Sequence, residues 1–320
     1  MEHFFGPVPS RRLGRSLGID PIPLKTCNWN CIYCQLGRTS PPSRERGDFG
    51  VSAEDVVAEV RAFFAAHGPD AADWVTFVGS GEPTLHRHLG WMIREVKALT
   101  TLPVAVITNG SLLWDPRVRA ALAAADAVMP TVSAGTERLY LRIHRPAHGL
   151  TFERFVEGLV AFRQAYEGRL WAEVMLLDGL NDGDDALAAL AALLRRVAPD
   201  EIQIVLPTRP PSVADVAPAC PAAVRRAARV LGDVAPVVVP TETPATGADD
   251  GALDDRLVGV VRRHPMTEEE LARAMGVEDP AVLREALTRL RGEDRVQRVE
   301  RCGRAYWTAA EARFGSRPGR

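Results

Sequence analysis

Three of the five cysteines in this chain of 320 residues fall within eight positions, in "KTCNWNCIYCQLG" (Lys25–Gly37). Cys27, Cys31 and Cys34 have the types and spacing of metal ligands, and several chemistries compete for them. Structural zinc takes four tetrahedral ligands, usually as two paired knuckles. No second pair exists here, and the nearest histidines are His3, His67, His86 and His88. An electron-carrying [4Fe–4S] cluster takes four thiolates, and only three stand in this loop. A cluster held at three corners leaves one iron for something other than protein, and that corner is then the reactive one. Plain structural cysteines are the remaining reading. It sits poorly with a loop that also holds two asparagines, a glutamine and a threonine.

The bulk composition narrows the setting. The chain is 46% hydrophobic and 25% charged with a net charge of −2, which suits a folded protein with a sizeable core. No apolar run approaches the roughly 18 residues of a membrane span. The opening "MEHFFGPVPSRRLGRSLG" lacks the basic-then-apolar layout of a signal peptide, so the expectation is a cytoplasmic protein. Cys220 and Cys302 lie far apart, and a secreted disulfide scaffold would be shorter and richer in cysteine.

The elements that must position the cysteines are legible as a pattern. From about Ser16 to Val239, short apolar runs such as "WVTFVG", "PVAVITN", "LWAEVMLL" and "EIQIVLP" alternate with amphipathic stretches. In "SAEDVVAEVRAFFAAHG", Ser52 is an N-cap, Val56, Val57, Val60, Phe63 and Phe64 share a face, and Gly68 stops the helix. Strand and helix in repetition imply right-handed βαβ units and a parallel sheet. Six or seven units make a doubly wound sheet or a barrel, and periodicity does not choose between them. Residues 241–251 read as a linker. Three helices follow, one opened by the capping box Thr267–Glu270. Two strands then turn at Cys302–Gly303, so residues 252–310 have the order of a winged helix-turn-helix, with 311–320 as a disordered tail.

The loop C-x-x-x-C-x-aromatic-C, with Tyr33 in the aromatic slot, resembles the signature of radical SAM enzymes. "VGSGEPTL" (Val78–Leu85) is similar to that family's Gly-Gly-Glu-Pro element, with Ser80 in place of one glycine. "ITNGS" (Ile107–Ser111) and "TVSAG" (Thr131–Gly135) end the next two runs. Each alone is an ordinary turn, but all three follow strands, at the edge where parallel α/β folds bind ligands. The resemblance covers roughly residues 6–240. It implies a partial (β/α)6 TIM-like barrel over residues 1–240, ahead of the winged helix-turn-helix. Within the superfamily, "FGPVPSRRLGRSLGID", "RIHRPAHGLTFERFVEGL", "EVMLLDGLND" and "VLPTRPPS" resemble the wyosine-synthase-like branch. True wyosine synthases carry a second cluster on cysteines ahead of the motif, and here no cysteine precedes Cys27. One cluster is therefore expected.

The resemblance also implies roles. Cys27, Cys31 and Cys34 would ligate a [4Fe–4S] cluster, and S-adenosylmethionine would bind the open iron and yield a 5′-deoxyadenosyl radical. Ser80, Gly81 and Glu82 would meet the methionyl amine, which wants acceptors. Thr108 and Asn109 would join them, Asn109 at the ribose or methionyl end, with Ser133 at the carboxylate and Tyr33 against adenine. Glu173 is a charge inside an apolar run, facing either inward to cofactor or substrate or outward from the barrel. Arg145 ("HRP") and Arg209 ("TRPP") are the remaining catalytic candidates. Arg11, Arg12, Arg15, Arg142 and His144 form either an anion-binding or RNA-backbone surface or a solvated face. Asp178, Asn181 and Asp182 read as a loop and helix cap.

Residues 251–320 carry 14 Lys+Arg against 12 Asp+Glu, so DNA readout is weakly supported and docking of substrate or partner is favoured. The leading expectation is a radical SAM enzyme acting on RNA, in tRNA base modification. The alternative acts on a protein or peptide, as a glycyl-radical activase does. A redox-sensing DNA regulator is the third reading, and the "GSGEPT" and "ITNG" motifs argue against it. A flavodoxin or ferredoxin would supply electrons, and no membrane is involved.

Overall fold

The apolar runs are strands, and the amphipathic stretches between them helices, in the computed structural model. It describes residues 3–10, 12–43, 45–239, 252–301 and 303–314. Arg11, the expected linker 241–251, Cys302 and the last six residues of the expected tail lie outside the described residues.

Eight strands form one sheet in chain order: β1 (Phe4–Ser10), β2 (Gly14–Ile19), β3 (Trp74–Phe77), β4 (Val104–Thr108), β5 (Ala127–Pro130), β6 (Arg169–Met175), β7 (Glu201–Val205) and β8 (Val237–Val238). β1 runs antiparallel to β2, and every later pairing is parallel. A six-strand expectation is thus exceeded: seven parallel strands follow an antiparallel one. The connections carry α1 (Ala53–His67), α2 (Leu89–Leu99), α3 (Pro116–Leu122), α4 (Glu137–His144), α5 (Phe152–Ala165), α6 (Asp184–Val197) and α7 (Pro221–Gly232). Local chemistry sets their ends. Ser52 accepts from Asp55 N at the start of α1, Thr151 caps α5 in the same way, and Gly68 ends α1 at φ 79°. No helix among the described residues is long and apolar enough to cross a membrane.

The two faces of the sheet differ because side chains alternate along each strand. Val75 and Phe77 of β3, Val104 and Val106 of β4 and Val174 of β6 join the large core under the helices. On the opposite face, Ser16, Thr76, Ile107, Glu173 and Val205 line one shared cavity. Residues of strands as distant as β2 and β7 can share a cavity only if the sheet curls around it, as in a partial barrel. Leu13, Ala105, Ala127 and Met129, with the half-buried Trp74 and Trp171, form a separate apolar cluster on that inner face.

The C-terminal segment adds α8 (Leu253–Arg263), α9 (Glu268–Met275), α10 (Pro280–Gly292) and the antiparallel pair β9 (Val296–Arg301) and β10 (Arg304–Ala309). The capping box of Thr267 and Glu270 is formed, and Gly276 ends α9 at φ 67°. Leu257, Val261, Leu271, Leu287, Leu290 and Trp307 are among the residues of a core distinct from that of the sheet.

One aromatic cluster connects the sheet's helices to the cysteine loop. Phe155 of α5 is 1% exposed, stacks on Tyr140 of α4 at 5.2 Å and meets Trp29 edge-on at 5.6 Å. Substituting Phe155→Ala should lower stability by about 3–5 kcal/mol, the usual cost of emptying a buried aromatic site. Denaturant unfolding of the full chain checks it; a change near zero would show that the cluster is not a supporting element.

Candidate active site

The cysteine loop has almost no secondary structure of its own, so its backbone polar groups need partners from elsewhere. The end of α4 and the residues after it supply several. Asn30 N donates to His144 O at 2.9 Å, Ile32 N to Ile143 O at 2.9 Å, and Ala147 N to Asn28 O at 2.8 Å. Arg145 makes this possible by taking the left-handed conformation (φ 46°) that ends α4. The segment after β7 contributes Ser212, whose hydroxyl donates to Cys31 O at 2.7 Å, while Val213 N donates to Ile32 O at 3.0 Å. "RIHRP" and "TRPPS" are thus braces of the cysteine loop. Arg145 itself is exposed and does not line the cavity, which corrects the expectation of a catalytic role. Its neighbour His144 is the inward residue. It is fully buried, packs on Trp29 at 4.1 Å and places Nδ1 3.5 Å from both Cys31 Sγ and Tyr33 Oη. Burial lowers its pKa to about 3, so the ring is neutral.

The three thiols are half-buried. Burial, helped by the Glu82 carboxylate, pushes Cys27 up to about 12, and burial also holds Cys31 well above the ordinary thiol range. Donors nevertheless point at the sulfurs. Lys25 Nζ lies 3.1 Å from Cys34 Sγ, Trp29 N–H donates to Cys27 Sγ at 3.4 Å, and Asn109 Nδ2 stands 3.8 Å from the same sulfur. Burial works to lower Lys25, but the cysteines, Cys34 foremost, outweigh it and raise its pKa. Thiols that are costly to ionise alone, yet ringed by donors, are suited to exchange their protons for a cationic metal. Three thiols on one loop, Cys27, Cys31 and Cys34, are the donor set that a cluster held at three corners takes, since thiolates are the ligands of iron–sulfur clusters.

The strand-end motifs meet the loop at the C-terminal edge of the sheet. After β3, Lys25 N donates to Ser80 O at 2.6 Å and Glu82 N to Thr26 O at 2.9 Å. Gly81 passes so close to Thr26 O that a Cβ there would overlap it. The Glu82 carboxylate is 2% exposed. Its Oε1 accepts from Thr84 N, Thr84 Oγ1 and Thr108 Oγ1 at 3.0, 2.6 and 2.6 Å, and Oε2 accepts from Asn109 N at 2.7 Å. Burial raises its pKa, with these donors working against the rise. Glu82 and Thr108 therefore tie β3 to β4, and their side chains are occupied. Asn109 reaches the cysteine loop, donating to Asn28 Oδ1 at 2.8 Å. Ser133 is fully buried and accepts from Met175 N at 3.0 Å; it lies behind the cavity wall. Asn181 Nδ2 donates to Ser133 O at 2.8 Å, so it staples the loop after β6.

Tyr33, Cys34, Gly81, Glu173 and Arg209 all line one cavity of about 420 Å³, within the roughly 300–1,000 Å³ of small-molecule sites. Glu173 faces inward and pairs with Arg12, which also reaches Gln203 Oε1 at 3.5 Å. Arg15, by contrast, pairs on the surface with Asp73 at 2.8 Å. The cavity is covered by the junction of α8 and α9, through Arg263, His264 and Met266. Gln35 Nε2 donates to Arg263 O at 3.1 Å, Arg209 donates to Pro265 O, and Tyr306 Oη donates to Thr208 O at 3.2 Å. Sequence reasoning did not single out Lys25, Asp20, Gln203 or Arg263. Lys25 had a signal, being one of only two lysines and two residues before the first cysteine.

A parallel sheet curled around a covered cavity, with a three-thiol loop at its C-terminal edge, defines an α/β enzyme built for a metal cofactor. The chain belongs to the radical SAM superfamily, whose family model matches residues 22–191. It is 33% identical over 274 residues to a UPF0026 protein of Methanocaldococcus jannaschii, covering 83% of each chain. It is also 40% identical over 208 residues to a protein of Brachyspira hyodysenteriae named GTPase Obg. That match takes in 65% of this chain and spans only 30% of the Brachyspira protein. In fold it is similar to the structure of TYW1 with a lysine-pyruvate adduct bound, with a TM-score of 0.50 at 18% identity over 69% of this chain and 74% of that one.

The Glu82 network predicts a graded response. Glu82→Gln keeps an oxygen for three donors but turns an amide toward Asn109 N, and should cost about 1–3 kcal/mol. Glu82→Ala strands every donor and should cost clearly more. Equal unfolding midpoints for the two variants would contradict the hydrogen-bond assignment.

Proposed function

We propose that Cys27, Cys31 and Cys34 hold one [4Fe–4S] cluster and that S-adenosylmethionine binds at its remaining iron, against the Ser80–Gly81 turn, Asn109 and Tyr33. The observation that carries this reading is a three-cysteine loop, with donors at Cys27 and Cys34, that packs against the turns after β3 and β4 and enters one cavity at Tyr33 and Cys34. Radical SAM chemistry supplies a 5′-deoxyadenosyl radical that takes hydrogen from a substrate. The chain's own part is placement and exclusion of water. Gly81, having no side chain, lets the turn pack directly on Thr26 at the start of the cysteine loop, which would set the backbone that meets the methionyl end. The Arg12–Glu173 pair and Gln203 present a donor and acceptor set to the substrate's polar groups. Residues 263–266 keep bulk water out.

For the substrate we propose a single group inserted into the cavity, namely a tRNA base taken out of its stack. The wyosine-synthase-like motifs support this, as does the winged helix-turn-helix order of α8–α10 and β9–β10. α10 offers the exposed Arg284 and Arg291, while Arg289 is held by Asp254 at 2.6 Å. A cytoplasmic flavodoxin or ferredoxin is the proposed reductant.

Anaerobic reconstitution should load about four irons per chain and, with dithionite and S-adenosylmethionine, yield 5′-deoxyadenosine. Cys31→Ala should lose the visible absorbance and the product together; an unchanged spectrum would show the ligand assignment to be wrong. Bulk tRNA should stimulate 5′-deoxyadenosine formation. Stimulation by a protein fraction and not by tRNA would replace the RNA reading with a protein substrate.

A further inference from the structure

Arg263, the last residue of α8, is 7% exposed and reaches across from the C-terminal segment to Asp20, 4% exposed, just past the end of β2. Its Nε donates to Asp20 Oδ2 at 2.7 Å. The same carboxylate accepts from Ser80 N at 3.0 Å and from Ser80 Oγ at 2.7 Å. Gly79 is shaped to this carboxylate, since a Cβ there would overlap Asp20 Oδ1. Arg263 is itself fixed on two further sides. Its Nη1 donates to Gly259 O at 2.9 Å, and its guanidinium lies 4.9 Å above the Phe5 ring. One buried carboxylate therefore holds the turn after β3 with two hydrogen bonds and the covering segment with a third.

We infer that Asp20 and Arg263 are positioning residues that couple closure of the C-terminal segment to the shape of the Ser80–Gly81 turn. The inference rests on the reading that this turn meets S-adenosylmethionine. The physical reason is the cost of separating a buried pair. With Arg263 withdrawn, Asp20 is left as a desolvated charge whose remaining donors are both on Ser80. Asp20 then recruits water or rotates, and either change moves Ser80. Coupling of this kind is reciprocal: a ligand that needs the ordered turn favours the closed segment, and opening the segment loosens the turn. Docking of a substrate on the C-terminal segment would thereby be communicated to the cofactor site over a short covalent and hydrogen-bonded route.

The test uses the full, iron-loaded chain and two readouts: hydrogen exchange of segments 78–82 and 253–266, and equilibrium dialysis of S-adenosylmethionine. In the wild type, S-adenosylmethionine should slow exchange in both segments. Arg263→Met should speed exchange at 78–82 before any ligand is added, and weaken S-adenosylmethionine binding about tenfold at unchanged iron content. Arg263→Lys, which keeps the charge but not the Nε–H, should fall between the two, and it alone decides the matter if the methionine variant does not fold. Arg15→Met, which breaks the exposed pair with Asp73, should change neither readout. Wild-type affinity in the Arg263 variants, or faster exchange spread evenly over the chain, would overturn the coupling. If the wild type itself binds no S-adenosylmethionine, the reading of the site fails, and exchange at 78–82 still reports on the pair.

Discussion

The structure depends on satisfying the backbone of a loop that builds no ladder of its own. A segment carrying three thiols must be close to buried, because ionisable sulfurs in water would not keep a protected metal site. Close to buried, its N–H and C=O groups cannot be left to solvent. The chain answers with two distant pieces, the end of α4 and the stretch after β7. The left-handed Arg145 turns the chain so that its own carbonyl and those of Ile143 and His144 face Asn30 and Ile32. Those carbonyls are fixed in turn by the packing of Trp29, Tyr140, His144 and Phe155. The geometry of the thiols is thus set by an aromatic cluster on the helical layer, and the sheet supplies the edge against which it closes.

At that edge the same economy appears in Glu82. A buried carboxylate is unfavourable alone, and burial raises its pKa. Donors from the strand end after β4 and from Thr84 offset much of that cost. The result is a cross-link between two neighbouring strand ends at the place where the cysteine loop lands. A side chain so fully engaged has little left for a ligand. In the proposed cofactor site the motif would then contribute through backbone atoms of the turn, which Gly81 lets pack directly on Thr26.

Much of this was legible in the sequence, and the parts that were not have physical causes. Ser52, Thr151, Thr267 and Gly276 announce their helices because caps act within one turn. The parallel runs read as strands because both faces of them are buried. β1 escaped notice: "FFGPVPS" contains two prolines, and its pairing with β2 shifts register between Phe5 and Val8. Period-two alternation placed a charge at Glu173 but could not say which face was inward; only the partner, Arg12, decides that. Arg145 misled because a motif residue can serve through its backbone conformation while its side chain points to solvent. The Asp20–Arg263 pair spans 243 positions, and neither residue has a local pattern that announces the other.

That long-range pair changes what the C-terminal segment is for. Its charge is close to balanced, so long-range attraction to a nucleic acid backbone is weak. It has a hydrophobic core of its own, against which Val8 of β1 packs. Yet the residues at its α8–α9 junction form a wall of the cavity, and its Arg263 is buried against the sheet with ionic and hydrogen-bonded partners. A module tethered only for docking would not bear the desolvation cost of such a pair. Buried charges are worth keeping where they impose one arrangement over others. Here the arrangement imposed is the seating of the α8–α9 junction against the turn after β3, through Arg263, Asp20 and Ser80. If that segment docks a substrate, as proposed above, the Ser80 turn is where docking would meet the proposed cofactor site.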